Sequence, residues 1–212
     1  MSHQFLMTKI ERAQQFAHAA HDSVKQVRKY SGEPYWVHTD EVAAIVTEIC
    51  KPQNVTKNQT TSIYTYGEAE DMVCAAHLHD YLEDVNPNGA AIIAKEFGDH
   101  VMDMVIGLTD RYTKERYPKM SRKERKANEA KRFDIESPMV KTIKLADLIS
   151  NTRSIVAYDP DFAKTYLREK MALLPYLADG SPVLLQRAND IALAGFASLG
   201  MTYNPSDYAI SR

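Results

Sequence analysis

A chain of 212 residues, 44% hydrophobic and 25% charged with a net charge of −2, carries enough apolar material for one domain with a real core and is no disordered segment. No apolar run approaches the ~20 residues that span a bilayer, and the N-terminal MSHQFLMTKIERAQQFAHAAH lacks a signal-peptide apolar core, so neither a membrane protein nor a secreted one is expected. Two cysteines, Cys50 and Cys74, form no disulfide framework and suit a reducing cytoplasm.

Hydrophobic periodicity predicts helices almost throughout and no convincing strand series, an all-α protein. A first amphipathic helix over 8–27 puts Ile10, Ala13, Phe16, Ala17, Ala20 and Val24 on one side. In RKYSGEPYWVH, Gly32 and Pro34 rule out a helix interior, so 28–38 reads as an ordered loop. A second helix is expected from Thr39 as N-cap, carrying Val42, Ile45, Val46 and Ile49. The polar, Thr- and Asn-rich stretch 51–67 reads as an inserted loop. Helices are expected over 68–85 and 89–108, with NPNG between them. Ser121 followed by Glu124 is a capping box, and Ser137 with Pro138 opens another helix. Helices over 160–178 and 181–199 complete a single domain spanning 1–200, with 201–212 as a C-terminal tail.

The densest chemistry lies in CAAHLHDYLEDV, residues 74–85. Wound as an α-helix, it gathers Cys74, Leu78, Tyr81, Leu82 and Val85 on one side. His79, Asp80, Glu83 and Asp84 fall on the other, within an arc of about 140°. His77 lies nearer the apolar side and reads as structural. A solvated face of an amphipathic helix accounts for such a pattern. Against it, no Lys or Arg stands nearby in sequence to pair these acids, and crowded carboxylates favour a cation. In VKTIKLADLISNT, a helix apolar on most sides sets Lys144, Asp147 and Asn151 at i, i+3 and i+7. A buried carboxylate needs a partner. A Lys144–Asp147 ion pair is one solution, and a metal ligand flanked by substrate contacts is the other. His38 closes a loop stiffened by Pro34 and two aromatics, and Arg28 and Lys29 in the same loop suit a phosphate. Taken together, His38, His79, Asp80 and Asp147 form an N2O2 set suited to Mn2+, Fe2+ or Zn2+. Glu83 and Asp84 remain for acid–base work on a water.

These motifs resemble a known family. An upstream histidine, the HD pair at 79–80 and a late aspartate resemble the HD superfamily of metal phosphohydrolases. RKYSGEPYWVH, HDYLED, EFGDHVMDMVIGLTD and IKLADLISNTRSI are similar to the hydrolase domain of the RelA/SpoT family, over roughly residues 8–180. The chain resembles a stand-alone small alarmone hydrolase. The resemblance implies an HD-domain helical bundle and a metal, usually manganese, on His38, His79, Asp80 and Asp147. It implies that Glu83 and Asp84 assist the attacking water. Arg28, Lys29 and Ser31 would shape the guanine and phosphate pocket, and Asn151 matches a nucleotide-contacting position; Lys144, beside Asp147 on the same helix, is read with them as a substrate contact. The implied reaction removes the 3′-diphosphate of (p)ppGpp, giving GDP or GTP and pyrophosphate. The chain departs from the family pattern in its longer interval from His38 to His79, in Tyr30, and in Tyr81 and Leu82 where smaller residues are common.

Two other readings stay open: the same chemistry on (p)ppApp or the 2′-phosphate of NADPH, and a catalytically silent nucleotide-binding module. The intact Glu83/Asp84 pair argues against the latter. The charge is also uneven. Residues 111–132 hold ten Lys/Arg against three Glu, a net +7 that leaves −9 on the rest. A cationic wall raises the encounter rate of an anionic nucleotide, and a solvated basic helix explains the segment equally well. Tyr112 and Tyr117 are its only aromatics, so nucleic acid is the disfavoured partner.

Overall fold

Thr8 opens the first helix, α1 (Lys9–Ser23): its hydroxyl accepts the Glu11 N–H, and the Glu11 carboxylate accepts from the Thr8 N–H. The structure, a computed structural model, describes residues 7–51, 53–56, 59–61, 64–204 and 206. The chain divides into two compact units, Met1–Thr109 and Asp110–Arg212.

In the first unit α1 is followed by α2 (Trp36–Cys50), β1 (Gln53–Thr56), β2 (Gln59–Thr61), α3 (Tyr66–Leu78), a π-helical turn (Tyr81–Val85), α4 (Ala90–Phe97) and α5 (Asp99–Leu108). Four sequence expectations are corrected here. Helix α2 begins three residues before Thr39, so Thr39 is no cap. It is fully buried and its hydroxyl donates to the Trp36 carbonyl. The turn after Pro34, closed by Val37 N–H to the Pro34 carbonyl, starts the helix instead. The helix expected over 68–85 is α-helical only to Leu78. The helix expected over 89–108 is two, because Gly98 sits at φ 93°, where side chains are strained and the helix cannot continue. Finally, the 51–67 insertion contains an antiparallel ribbon, with Gln53 opposite Thr61. Its β-branched Val55, Thr56, Thr60 and Thr61 favour strands, but the sequence there is polar almost throughout and lacks the apolar–polar alternation that marks a strand.

Helix α3 is the centre of this unit. Every residue from Met72 to Leu78 is buried, and the helix packs on α1, α2 and α5. Its small Cys74, Ala75 and Ala76 let those neighbours approach closely.

The second unit contains α6 (Arg122–Arg132), α7 (Pro138–Tyr158), α8 (Pro160–Leu173), a 3₁₀ turn (Leu174–Leu177) and α9 (Pro182–Ser198). The expected capping box at Ser121 and cap at Ser137 are present. Asp159 and Ser181 cap α8 and α9, each before a proline at the first helical position. Helix α7 is the buried centre, packed on α8 and α9. From Val140 to Thr152 all its residues are buried except Lys144 and Asn151. No described helix is long and apolar enough to cross a membrane. Most of the expected tail, 201–212, lies outside the described residues.

Candidate functional site

In the first unit the site grows from the end of α3. His79 is its C-cap residue and Asp80 the next. The chain then widens into the π turn, closed by the Asn86 N–H on the Tyr81 carbonyl at 2.9 Å. Such turns recur at functional sites because they re-aim side chains that a regular helix would hold in line. His38 comes from the first turn of α2 rather than from a loop and is 1% exposed. The Nε2 atoms of His38 and His79 lie 3.7 and 3.0 Å from Asp80 Oδ2. The Tyr35 hydroxyl donates to the same oxygen at 2.6 Å.

The His79 tautomer follows from its second nitrogen. Nδ1 lies 2.8 Å from the Ala76 carbonyl oxygen, which can only accept, so Nδ1 carries hydrogen. Nε2 thereby offers its lone pair toward Asp80, the orientation that a backbone partner commonly gives a ligating histidine. A lone pair 3.0 Å from a carboxylate oxygen takes a proton or a metal ion between the two. Two imidazole nitrogens and a carboxylate oxygen suit a borderline divalent ion such as manganese, iron or zinc.

The two acids sit within the π turn. Glu83 and Asp84 are exposed, whereas Tyr81 and Leu82 are buried. Asp84 Oδ2 accepts from Gln26 Nε2 at 2.8 Å, and Gln26 Oε1 accepts from His21 Nδ1 at 2.6 Å. His21 is fully buried, so an anchored chain of two hydrogen bonds sets the Asp84 carboxylate. Desolvation, and then the charge of Asp80, raise the Asp84 pKa above the ordinary carboxylate range. The unusual Tyr81 packs edge-on against Phe16 at 5.1 Å. Gly89 makes room for it, since a Cβ there would overlap the Tyr81 ring. His77 is buried as expected, with Nδ1 3.2 Å from Asp40 Oδ1. Burial pushes its pKa down to about 4.

The loop before α2 is a tight hairpin. Arg28 N–H donates to the Glu33 carbonyl, and Tyr35 N–H to the Gln26 carbonyl. The Arg28 guanidinium is 3.2 Å from Glu41 Oε2. Lys29 donates to the Tyr30 hydroxyl, and Ser31 Oγ accepts from the Glu33 N–H.

The second unit holds the α7 residues. Lys144 Nζ stands 3.0 Å from Asp147 Oδ2, and Asn151 Nδ2 donates to Asp147 Oδ1 at 2.6 Å. The ion pair weighed from the sequence is therefore present, and each Asp147 oxygen has a neighbour. These three residues line a cavity of about 310 Å3 together with Phe162, Tyr166 and Lys170. Sequence reasoning missed Lys170. It is 2% exposed and donates to the Leu148 carbonyl and to Thr152 Oγ1. The signal was available: Lys170 falls on the stripe formed by Ala163, Leu167, Met171 and Leu174, where a charge has no business unless a partner waits. Tyr35 and Gln26 gave no such signal, since their partners are 45 and 58 residues away.

Burial pushes the Lys170 pKa down to about 7, with Asp147 opposing the shift. The unfolded chain therefore binds a proton between about pH 7 and the ordinary lysine value that the folded chain does not hold. Stability should rise with pH through that window, by at most about 1.4 kcal/mol per unit. Urea melts of Lys170→Met should lack this rise. Parallel pH curves for the two proteins would contradict the assignment.

Comparison with known proteins bears on the family. An HD-domain family pattern matches residues 13–180. The guanosine-3′,5′-bis(diphosphate) 3′-pyrophosphohydrolase of Aquifex aeolicus is 28% identical over 172 residues, 80% of this chain and 21% of that protein. A probable enzyme of the same name from Synechocystis is 28% identical over 163 residues, 76% of this chain and 19% of that protein. The Vibrio cholerae enzyme is 27% identical over 175 residues, 80% of this chain and 21% of that protein. The chain thus spans about a fifth of the length of these relatives. A solved structure, described as a metazoan ortholog of SpoT that hydrolyses ppGpp and plays a role in starvation responses, matches with a TM-score of 0.70 at 23% identity. The match covers 94% of this chain and 99% of that one, a likeness of fold. With the family pattern covering most of its length, the chain belongs to the HD-domain family.

Proposed function

We propose that this protein hydrolyses the 3′-diphosphate of (p)ppGpp to GDP or GTP and pyrophosphate, using a divalent ion, manganese first. The observation that carries the reading is the approach of two buried histidines to Asp80, the donor set an HD hydrolase needs. The names of the curated relatives point to the substrate. His38, His79, Asp80 and Asp147 are the proposed ligands. When bound, the ion supplies charge that brings the pKa of a water toward neutrality.

The chain's own residues have separable tasks. The bond from His79 Nδ1 to the Ala76 carbonyl and the Tyr35 hydroxyl on Asp80 hold two ligands in orientation. Glu83 and Asp84 take and return the proton. The Asp84 carboxylate is held by Gln26, and desolvation and the charge of Asp80 raise its pKa, which favours its proton-bound form. Arg28, Lys29 and Ser31 receive the guanine and phosphates, and Lys144 and Asn151 add contacts from α7. The two free cysteines fit a reducing cytoplasm as the working compartment.

The test is a panel of ppGpp, ppApp and NADPH incubated with manganese, with pyrophosphate and phosphate release followed separately. Pyrophosphate from ppGpp, stopped by EDTA, is the expected result. Turnover confined to another nucleotide would reassign the substrate. Tight binding of the panel without turnover would make the protein a binding module.

A further inference from the structure

The basic stretch 111–132 is not simply a solvated face. Tyr112 and Tyr117 stack on one another, with ring centroids 5.0 Å apart and planes 25° from parallel. They line a surface groove of about 330 Å3 within the second unit, together with Arg111, Asn128, Lys131, Arg132 and Ile135. We propose that this groove binds a nucleotide, its base stacked on the tyrosine pair and its phosphate held by Arg111 and Lys131.

Three observations carry this. First, the aromatic wall is available: Tyr117 is 38% exposed, Lys131 is exposed beside it, and Arg111 is exposed with one guanidinium nitrogen 3.6 Å from Glu136 Oε1, a loose pair that a phosphate would share. Aromatic faces next to cations are what single nucleotides and single strands use, because every base has a face to stack and every phosphate a charge to meet. Second, the groove is preformed. Buried Glu129, 5% exposed, accepts the backbone N–H groups of Arg111 and Tyr112 on Oε2, each at 2.9 Å. Its other oxygen pairs with buried Arg132, which reaches on to Glu136. An ion pair in the core thus fixes the loop that presents Tyr112, so stacking costs little ordering on binding. Third, the surrounding segment has a net charge of +7, which draws anions toward the groove. Asn128 offers an amide that can read a base edge.

A free nucleotide and a nucleotide within a single strand share this chemistry, so the probes are AMP and a 5′-phosphorylated oligoadenylate, neither of which carries a 3′-diphosphate. Fluorescence anisotropy or calorimetry at low salt should give saturable binding of at least one. Affinity for AMP alone marks a free-nucleotide site, and much tighter binding of the oligomer marks a single-strand site. Lys131→Glu should weaken binding about tenfold and lower the salt slope by about 1. Tyr117→Ala should weaken it by a similar factor, and Tyr117→Phe, which keeps the ring, should bind like the parent. Lys131 is exposed, so its substitution tests the groove without threatening the fold. Absence of saturable binding by either probe, or unchanged affinity in Lys131→Glu or Tyr117→Ala, overturns the proposal.

Discussion

If the proposed ligand set and reaction hold, Asp80→Asn should remove bound manganese and pyrophosphate release together. The carboxylate oxygen it neutralises is the one approached by His38, His79 and Tyr35. An amide presents either a neutral oxygen or an N–H there, and an N–H would point a donor at atoms meant to hold a cation. Losing an outer partner of a metal ligand costs about 10–100-fold in affinity or activity, so losing a charged ligand should exceed that. Glu83→Gln separates the roles. It should keep the metal, measured by elemental analysis after gel filtration, and lose rate by about 10²-fold or more, the range of general acid–base assistance. Metal content that survives Asp80→Asn would move the ligand assignment elsewhere. Full rate in Glu83→Gln would leave Asp84 as the proton-handling group.

How far the sequence reached follows from how local each feature is. The caps at Thr8, Ser121 and Ser137 are held by partners three residues away, and Ser121 and Ser137 were readable as written. The all-α class followed from periodicity that spans whole helices. What stayed hidden depends on contacts across long separations. Thr39 reads as a cap by residue type, yet packing of Trp36 against His18, ring to ring at 4.3 Å, draws the helix start back to Trp36. The break after Leu78 was invisible because HDYLEDV contains no glycine or proline. The π turn is stabilised by burying Tyr81 against Phe16, in space that Gly89 leaves open. The site shows the same division. His79 and Asp80 are neighbours in sequence, and their pairing could be argued from spacing. Gln26 and His21, which set Asp84, lie on another helix and loop, and nothing in their residue types announces it. Lys170 lies between these cases, a charge on an apolar stripe whose partners were not readable.

The largest loss of stability should come from Glu129→Ala. Glu129 and Arg132 have side chains only 6% and 4% exposed and meet at 2.6 Å. Removing one partner of a buried pair strands the other charge and costs about 3–5 kcal/mol. Arg132 keeps its contact with Glu136 at 2.7 Å, which places the loss near the lower end, about 3 kcal/mol. The backbone N–H groups of Arg111 and Tyr112 also lose their acceptor. For a chain of this size each kcal/mol moves the melting temperature by about 2–4 °C, so the drop should be about 6–12 °C. Glu129→Gln keeps an acceptor oxygen for the two N–H groups but loses the charge, and should fall between parent and Ala. Lys164→Ala supplies the control. Its partner Asp161 is 97% exposed, and a solvated pair of this kind adds little, so the melt should stay in place. A Glu129→Ala melt that coincides with that of Lys164→Ala would mean that the buried pair only breaks even against its own desolvation. In that case the loop carrying Tyr112 would owe its position to the tyrosine stack rather than to the carboxylate beneath it.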